Sequence, residues 1–299
     1  MKIKFKNLGP LRQAEFELGD FTIICGCNNT GKTYATYALF GFLDFWHNSS
    51  FGILDIHTSN IDRLIENASI QIDLDDYVKK ASNILKDASK LFSKRLPEFF
   101  ASNEKHFLET EFSINIDSSN IKIQTDKYER TLGSPKEKIL QIIKNEDENI
   151  LNVSLLGGKN QVRFHPEFLQ RIIGDSIKDV VFGSHLPRPF IASAERTGAA
   201  IFRKELDFTR NRLIEQMGLS KGKLKQAKLL ELIFDEGISG YALPVRRNVD
   251  FMGDIEALSK KDSFIVKNHK DILSDFSDII DGEYRVVRTR RPVAGIFVL

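Results

Sequence analysis

The stretch Phe21-Thr22-Ile23-Ile24-Cys25-Gly26-Cys27-Asn28-Asn29-Thr30-Gly31-Lys32-Thr33 sets a β-prone run directly before a glycine-spaced loop. Gly26 to Thr33 matches G-x-x-x-x-G-K-[ST], a pattern that cradles phosphate. Wrapping a phosphate with successive backbone N–H groups needs unusual φ/ψ values. Gly26 and Gly31 supply them without a Cβ clash, and Asn29 tolerates a left-handed backbone. A helix opening near Lys32 aims its free N–H groups and positive dipole end at the same anion. Lys32 brings a charge to the β- and γ-phosphates, and Thr33 offers a hydroxyl to Mg²⁺. Gly26, Cys27, Asn28, Asn29, Thr30, Gly31, Lys32 and Thr33 are therefore the expected binding residues for ATP, with Thr33 also a ligand of Mg²⁺. The context agrees. Residues 21–25 read as a buried strand with Cys25 in its core, and residues 33–46 have helical periodicity.

Working outward, residues 2–6 and 14–18 alternate apolar with polar and predict strands, joined by the turn Asn7-Leu8-Gly9-Pro10. Residues 47–60 read as a loop. Residues 60–100 predict amphipathic helix, broken by Pro97. Residues 107–117 and 121–125 alternate around Asp117-Ser118-Ser119-Asn120 and predict a hairpin. Residues 136–145 predict a short helix and 149–156 a strand. Helix is expected over 166–181, a short strand over 187–192, and further helices over 197–217, 223–236, 250–258 and 268–280. A strand is expected over 283–287. The expected division is 1–59, the first part of a nucleotide-binding core; 60–104, a helical insertion; and 105–299, the remainder of that lobe.

Composition narrows the class. Of 299 residues, 41% are apolar and 28% charged, which excludes a largely disordered chain and a collagen-like fibre. The 23 Phe against one Trp and six Tyr point to a filled core more than to an aromatic binding surface. Lys and Arg number 43 against 41 Asp and Glu, so no overall basic footprint marks nucleic acid as a partner. The two cysteines, Cys25 and Cys27, are badly placed for a disulfide with each other. With no second ligand pair they make no structural zinc site. A reduced, cytoplasmic setting is expected. The amino end lacks the apolar run of a signal peptide, and no stretch reaches the about 18 apolar residues of a membrane span.

Beyond the loop, three segments carry a family resemblance: Ile3-Lys4-Phe5-Lys6-Asn7-Leu8-Gly9-Pro10-Leu11, Ala14-Glu15-Phe16, and Phe21 to Asn28. Together they resemble the amino end of the ABC-type AAA ATPases, relatives of the SMC, RecF and OLD proteins. That group opens with a strand and N-[FL]-G-P-[FL], then a second strand, then G-x-N-x-x-G-K-[ST]. Asn28 falls on the group's loop asparagine. Phe190-Ile191-Ala192-Ser193-Ala194-Glu195-Arg196-Thr197-Gly198 is similar to the group's [IV]-P-A-E-R-[ST]-G segment, with Ser193 in place of proline. The resemblance implies that Glu195 and Arg196 lie near the phosphate loop, making Arg196 a further nucleotide contact. It implies an α/β fold: a P-loop NTPase, specifically an ABC-ATPase-like amino-terminal lobe with antiparallel strands and a helical insertion.

The resemblance also asks for a signature motif, a strand ending in Asp-Glu and a switch histidine. Leu232-Ile233-Phe234-Asp235-Glu236 is the candidate acidic motif, with Asp235 as metal ligand and Glu236 as general base. Its helical spacing and the following Gly237 instead read as the end of an amphipathic helix. Leu219-Ser220-Lys221-Gly222-Lys223 matches a signature motif only faintly, and His185 reads as an exposed loop residue. Arg285, Arg288, Arg290 and Arg291 cluster near the end and read as a solvated tail. The expectation is a shortened member, or one part of a split ATPase. Three functions compete. One is an ATP-binding protein whose binding and hydrolysis drive dimerisation in DNA transactions or phage defence, as a homodimer or with a partner that completes the site. The second is a hydrolysis-deficient or truncated nucleotide-sensing subunit. The third is a small-molecule P-loop kinase, less well matched because two strands precede the loop.

Overall fold

The computed structural model describes residues 1–49, 53–54, 56–134, 137–156, 165–193, 241–257, 284–287 and 295–298. These fall into two compact units, Met1–Leu96 with Glu104–Pro189, and Pro97–Asn103 with Phe190–Leu299. Helices and antiparallel sheets are mixed throughout.

Alternation builds the first sheet. In β1 (Lys2–Leu8) Ile3, Phe5 and Leu8 are buried while Lys2, Lys4 and Lys6 face out. The turn at Gly9-Pro10 sends the chain back as β2 (Leu11–Glu17), in register Ile3↔Phe16 and Phe5↔Ala14. On the other side of β1 lies β4 (Glu111–Asn115), with Phe5 opposite Phe112, giving the order β2-β1-β4. The outward lysines are matched by carboxylates: Lys2 and Lys4 each reach Glu15 at 3.0 Å, and Lys6 reaches Glu111 at 3.2 Å. Hydrogen bonds from Lys4 and Lys2 lower the Glu15 carboxyl below its ordinary range. This face thus presents paired charge, not a stripe of unmatched cations.

Helix α1 (Lys32–Asn48) packs its aromatic side under that sheet. Phe42 lies 5.2 Å from Phe112 and 5.7 Å from Phe92 between ring centroids. Phe92 belongs to α4 (Ala81–Phe100) and meets Phe112 edge-on at 4.9 Å. Buried aromatic pairs of this kind add to the area they remove from water. On α4, buried Ser89 donates to the Leu85 carbonyl and accepts the Ile114 N–H, which ties the helix to β4.

The second sheet has the order β3-β7-β6-β5, from β3 (Ser69–Asp73), β5 (Tyr128–Ser134), β6 (Glu137–Lys144) and β7 (Ile150–Leu155). Helices α2 (Thr58–Asn67) and α3 (Asp75–Lys79) flank β3. Helix α5 (Pro166–Ile177) runs directly into a π-helical turn, Lys178–Phe182. In the second unit, α6 (Leu243–Ala257) and the antiparallel pair β8 (Tyr284–Val287) and β9 (Gly295–Val298) are described.

Several expectations change. The stretch expected to be helical over 60–100 holds a strand, β3, because Ile70 and Ile72 alternate and pair with β7. Pro97 does not break α4, which runs to Phe100. The helix expected over 136–145 is strand β6, where ladders to β5 and β7 on both sides outweigh a weak helical pattern. The expected hairpin of 107–117 with 121–125 does not form. Its first strand pairs with β1 instead, and Ser118–Asn120 is a 3₁₀ turn. The strands expected over 21–25 and 187–192 join no ladder among the described residues. Cys25 is accordingly exposed, not core. A strand buried on both faces needs a partner on each side, and none of the three described sheets includes either run. The expected helices over 197–217, 223–236 and 268–280 lie outside the described residues.

Candidate phosphate-binding site

Hairpin β1–β2 and helix α1 position the loop. Gly26 has φ +150°, Asn29 +61° and Gly31 +93°, so the left-handed turns fall on the residues chosen for them. Gly31 is the N-cap of α1. The first helical bond runs from the Ala35 N–H to the Gly31 carbonyl at 3.0 Å. The amides of Lys32 and Thr33 precede it and point out of the helix end, where an anion sits well.

The ammonium of Lys32 folds back over the loop and donates to the carbonyls of Gly26 at 2.8 Å and Cys27 at 2.6 Å. Thr30 Oγ1 donates to the same Cys27 carbonyl at 2.8 Å. The Gly26 and Cys27 carbonyls thus point at the lysine. Cys27, Asn28, Asn29, Thr30 and Thr33 are exposed, and Lys32 is half-buried. Thr33 follows the lysine in the first helical turn and is exposed.

The brace behind the loop was not read from the sequence. A Cβ on Gly31 would lie 2.5 Å from Leu11 Cγ and 3.2 Å from Pro10 Cγ. A Cβ on Gly9 would lie 2.5 Å from Tyr34 Cε1. The tight turn Gly9-Pro10-Leu11 therefore packs directly on the loop and the start of α1. Its sequence signal was the Gly-Pro turn, but only tertiary contact shows what the turn touches.

The far end of the β1–β2 hairpin borders a separate open groove of about 1410 Å³, lined by Met1, Glu17, Asp117, Asp126, Asp179 and Lys122 among others. It contains no residue of the phosphate loop, and its carboxylates suit an anion poorly. Ser193 lies in the second unit, where its N–H donates to Asn248 Oδ1 at 2.8 Å. A proline there could not make that bond. His185 Nε2 donates to the Asn120 carbonyl at 3.0 Å, a loop contact away from the phosphate loop. Arg196, Asp235 and Glu236 lie outside the described residues. Among the described residues no group of three or more His, Cys, Asp or Glu is placed to hold a metal ion, and no helix is long and apolar enough to cross a membrane. No family model, no curated protein and no solved structure matches the chain.

Proposed function

We propose that this chain binds ATP with Mg²⁺ at Gly26–Thr33 as a member of the ABC/SMC-like AAA ATPase group. Binding and hydrolysis would be coupled to dimerisation in DNA transactions or phage defence. One observation carries the nucleotide part of this reading. Three left-handed backbone positions, a folded-over Lys32 and the open end of α1 meet in one exposed loop. The group and its biology rest on the resemblance of residues 3–28.

Here Lys32 would leave its two carbonyl partners for the β- and γ-phosphates, and the amides of the loop would hold the remaining oxygens. Thr33 would hold Mg²⁺, which supplies charge neutralisation between phosphates. Replacing Lys32 by Ala removes two charge-assisted hydrogen bonds, so Mg²⁺-ATP affinity is expected to fall about 100-fold. Calorimetric titration of wild type and Lys32→Ala tests this, and equal affinities would refute the site. ATP turnover measured beside it separates hydrolysis from binding.

A second reading, a hydrolysis-deficient or split subunit, is favoured by a specific observation. The run leading into the loop leaves Phe21 84% and Ile23 71% exposed. Apolar side chains this open ahead of a phosphate loop fit a lobe that another polypeptide segment covers. Tight ATP binding without turnover by the chain alone, with turnover appearing on addition of a partner, would select this reading.

A further inference from the structure

The chain has two cysteines, and they stand on either side of Gly26 as Cys25 and Cys27. Cysteine is among the residue types most often buried. Here both are exposed and neither forms a disulfide. Core packing therefore does not account for Cys27, and for a free cysteine outside the core reactivity is what matters.

The backbone of Cys27 fixes where its thiol can be. Its carbonyl accepts the Lys32 ammonium at 2.6 Å and Thr30 Oγ1 at 2.8 Å. Four bonds separate that carbonyl oxygen from the sulfur, a span of at most about 5 Å. In any rotamer the sulfur then lies within about 8 Å of the Lys32 ammonium. Helix α1 opens at the same lysine, with the positive end of its dipole toward the loop. The screening length at physiological ionic strength is also about 8 Å, so an anionic reagent feels this charge as it nears the thiol. Cys25 precedes the loop and has no bond to Lys32 among the described residues.

This step rests on the nucleotide reading of Gly26–Thr33 and adds a regulator to that site. We propose that Cys27 is a thiol-modification site that closes the phosphate loop, taking a small carboxylate-bearing disulfide of the glutathione class. The Cys27 thiolate attacks one sulfur of that disulfide. The reagent's S–S bond breaks and a new one forms to Cys27. The other half leaves as a thiolate and takes up the proton that Cys27 gave up. Cys27 is oxidised and the leaving half is reduced, so no further oxidant is needed. A tripeptide spans up to about 10 Å, enough to bring a carboxylate from Cys27 to the Lys32 ammonium. The adduct thus takes the charge and the space that phosphate needs, and an added thiol reverses it by the same exchange.

The test treats the full chain with oxidised glutathione, locates the adduct by peptide mass mapping, and titrates Mg²⁺-ATP before and after treatment. Wild type, Cys25→Ser and Cys27→Ser are each read against their own untreated affinity. Wild type and Cys25→Ser are expected to lose about tenfold or more on treatment and to regain it with dithiothreitol. Cys27→Ser should show no change on treatment. A second measurement needs no variant: saturating Mg²⁺-tripolyphosphate should slow adduct formation at Cys27 in wild type. No adduct at Cys27, an adduct that leaves ATP affinity unchanged, a loss that persists in Cys27→Ser, or modification at the same rate with tripolyphosphate bound would each overturn the proposal. Failure of the underlying reading looks different. Untreated wild type would then bind neither ATP nor tripolyphosphate, or Lys32→Ala would bind both as well as wild type, and the role of Cys27 would fall with it.

Discussion

Gly31 carries two constraints at once. Its φ of +93° is costly for any residue with a Cβ, and that Cβ would strike Leu11 Cγ at 2.5 Å. Gly31→Ala is expected to lower stability by about 1–3 kcal/mol and to weaken Mg²⁺-ATP by about tenfold or more, since the same strain reshapes the loop. Leu11→Ala should restore part of the loss by removing the clash, but not the part due to φ. Urea unfolding and ATP titration of the single and double variants measure both. A Gly31→Ala variant as stable as wild type would remove the packing claim. The glycine spacing made the conformational need legible from sequence. The clash was not, because Leu11 is twenty positions away and reaches Gly31 only through the hairpin. Ser193 teaches the converse: it departs from the resembling segment's proline, and its N–H is used by Asn248.

Helix α1 is the element that joins the loop to the rest of its unit, and it is held at both ends. At its start, Gly9 and Leu11 pack on the first turn and its cap. At its end, buried Lys178 from the π-helical turn donates to the Trp46 carbonyl at 2.9 Å and pairs with Asp175 at 2.8 Å. A cation there also meets the negative end of the helix dipole. His47 Nε2 meets the Leu186 carbonyl at 2.8 Å beside it. Lys178→Met keeps the side-chain volume but strands the Trp46 carbonyl and the Asp175 carboxylate. A loss of about 2–3 kcal/mol in urea unfolding is expected, and adding Asp175→Asn should recover part of it. No loss would mean that the clamp contributes nothing. Periodicity predicted α1 and α5 well, since each buries one apolar face. It failed at β6. Ile139, Leu140, Ile142 and Ile143 fit helix or strand equally in isolation, and only the ladders to β5 and β7 decide between them.

The larger unit is sealed by an aromatic core running from β1 through α1 and α4 to the π-helical turn, where Trp46 meets Phe182 at 5.1 Å. Its stability should carry one alkaline signature. Burial raises the Tyr128 phenol above its ordinary 10.0, the charge of Asp179 adds to this, and a hydrogen bond with Ser176 opposes it. The phenol also donates to Asp179 Oδ2 at 3.3 Å. In the unfolded chain the phenol loses its proton near pH 10. The folded chain holds the proton longer, so this contribution is intact below about pH 10 and is lost as pH rises through the folded value. Urea midpoints measured upward from pH 9 should fall more steeply for wild type than for Tyr128→Phe, and parallel falls would contradict the assignment. At this scale the division between sequence and fold is clear. Local order was determined by the sequence itself: the β1–β2 hairpin, the glycine-spaced loop, Lys32 and Thr33 at the head of α1, each set by contacts among near neighbours. Tertiary structure alone decided that β4 pairs with β1 and that β6 is a strand. It also decided that Phe21–Cys25 stays outside the described sheets, and that Tyr34 lies on Gly9. These depend on which distant segment wins a ladder or a packing site, a competition that no local pattern encodes.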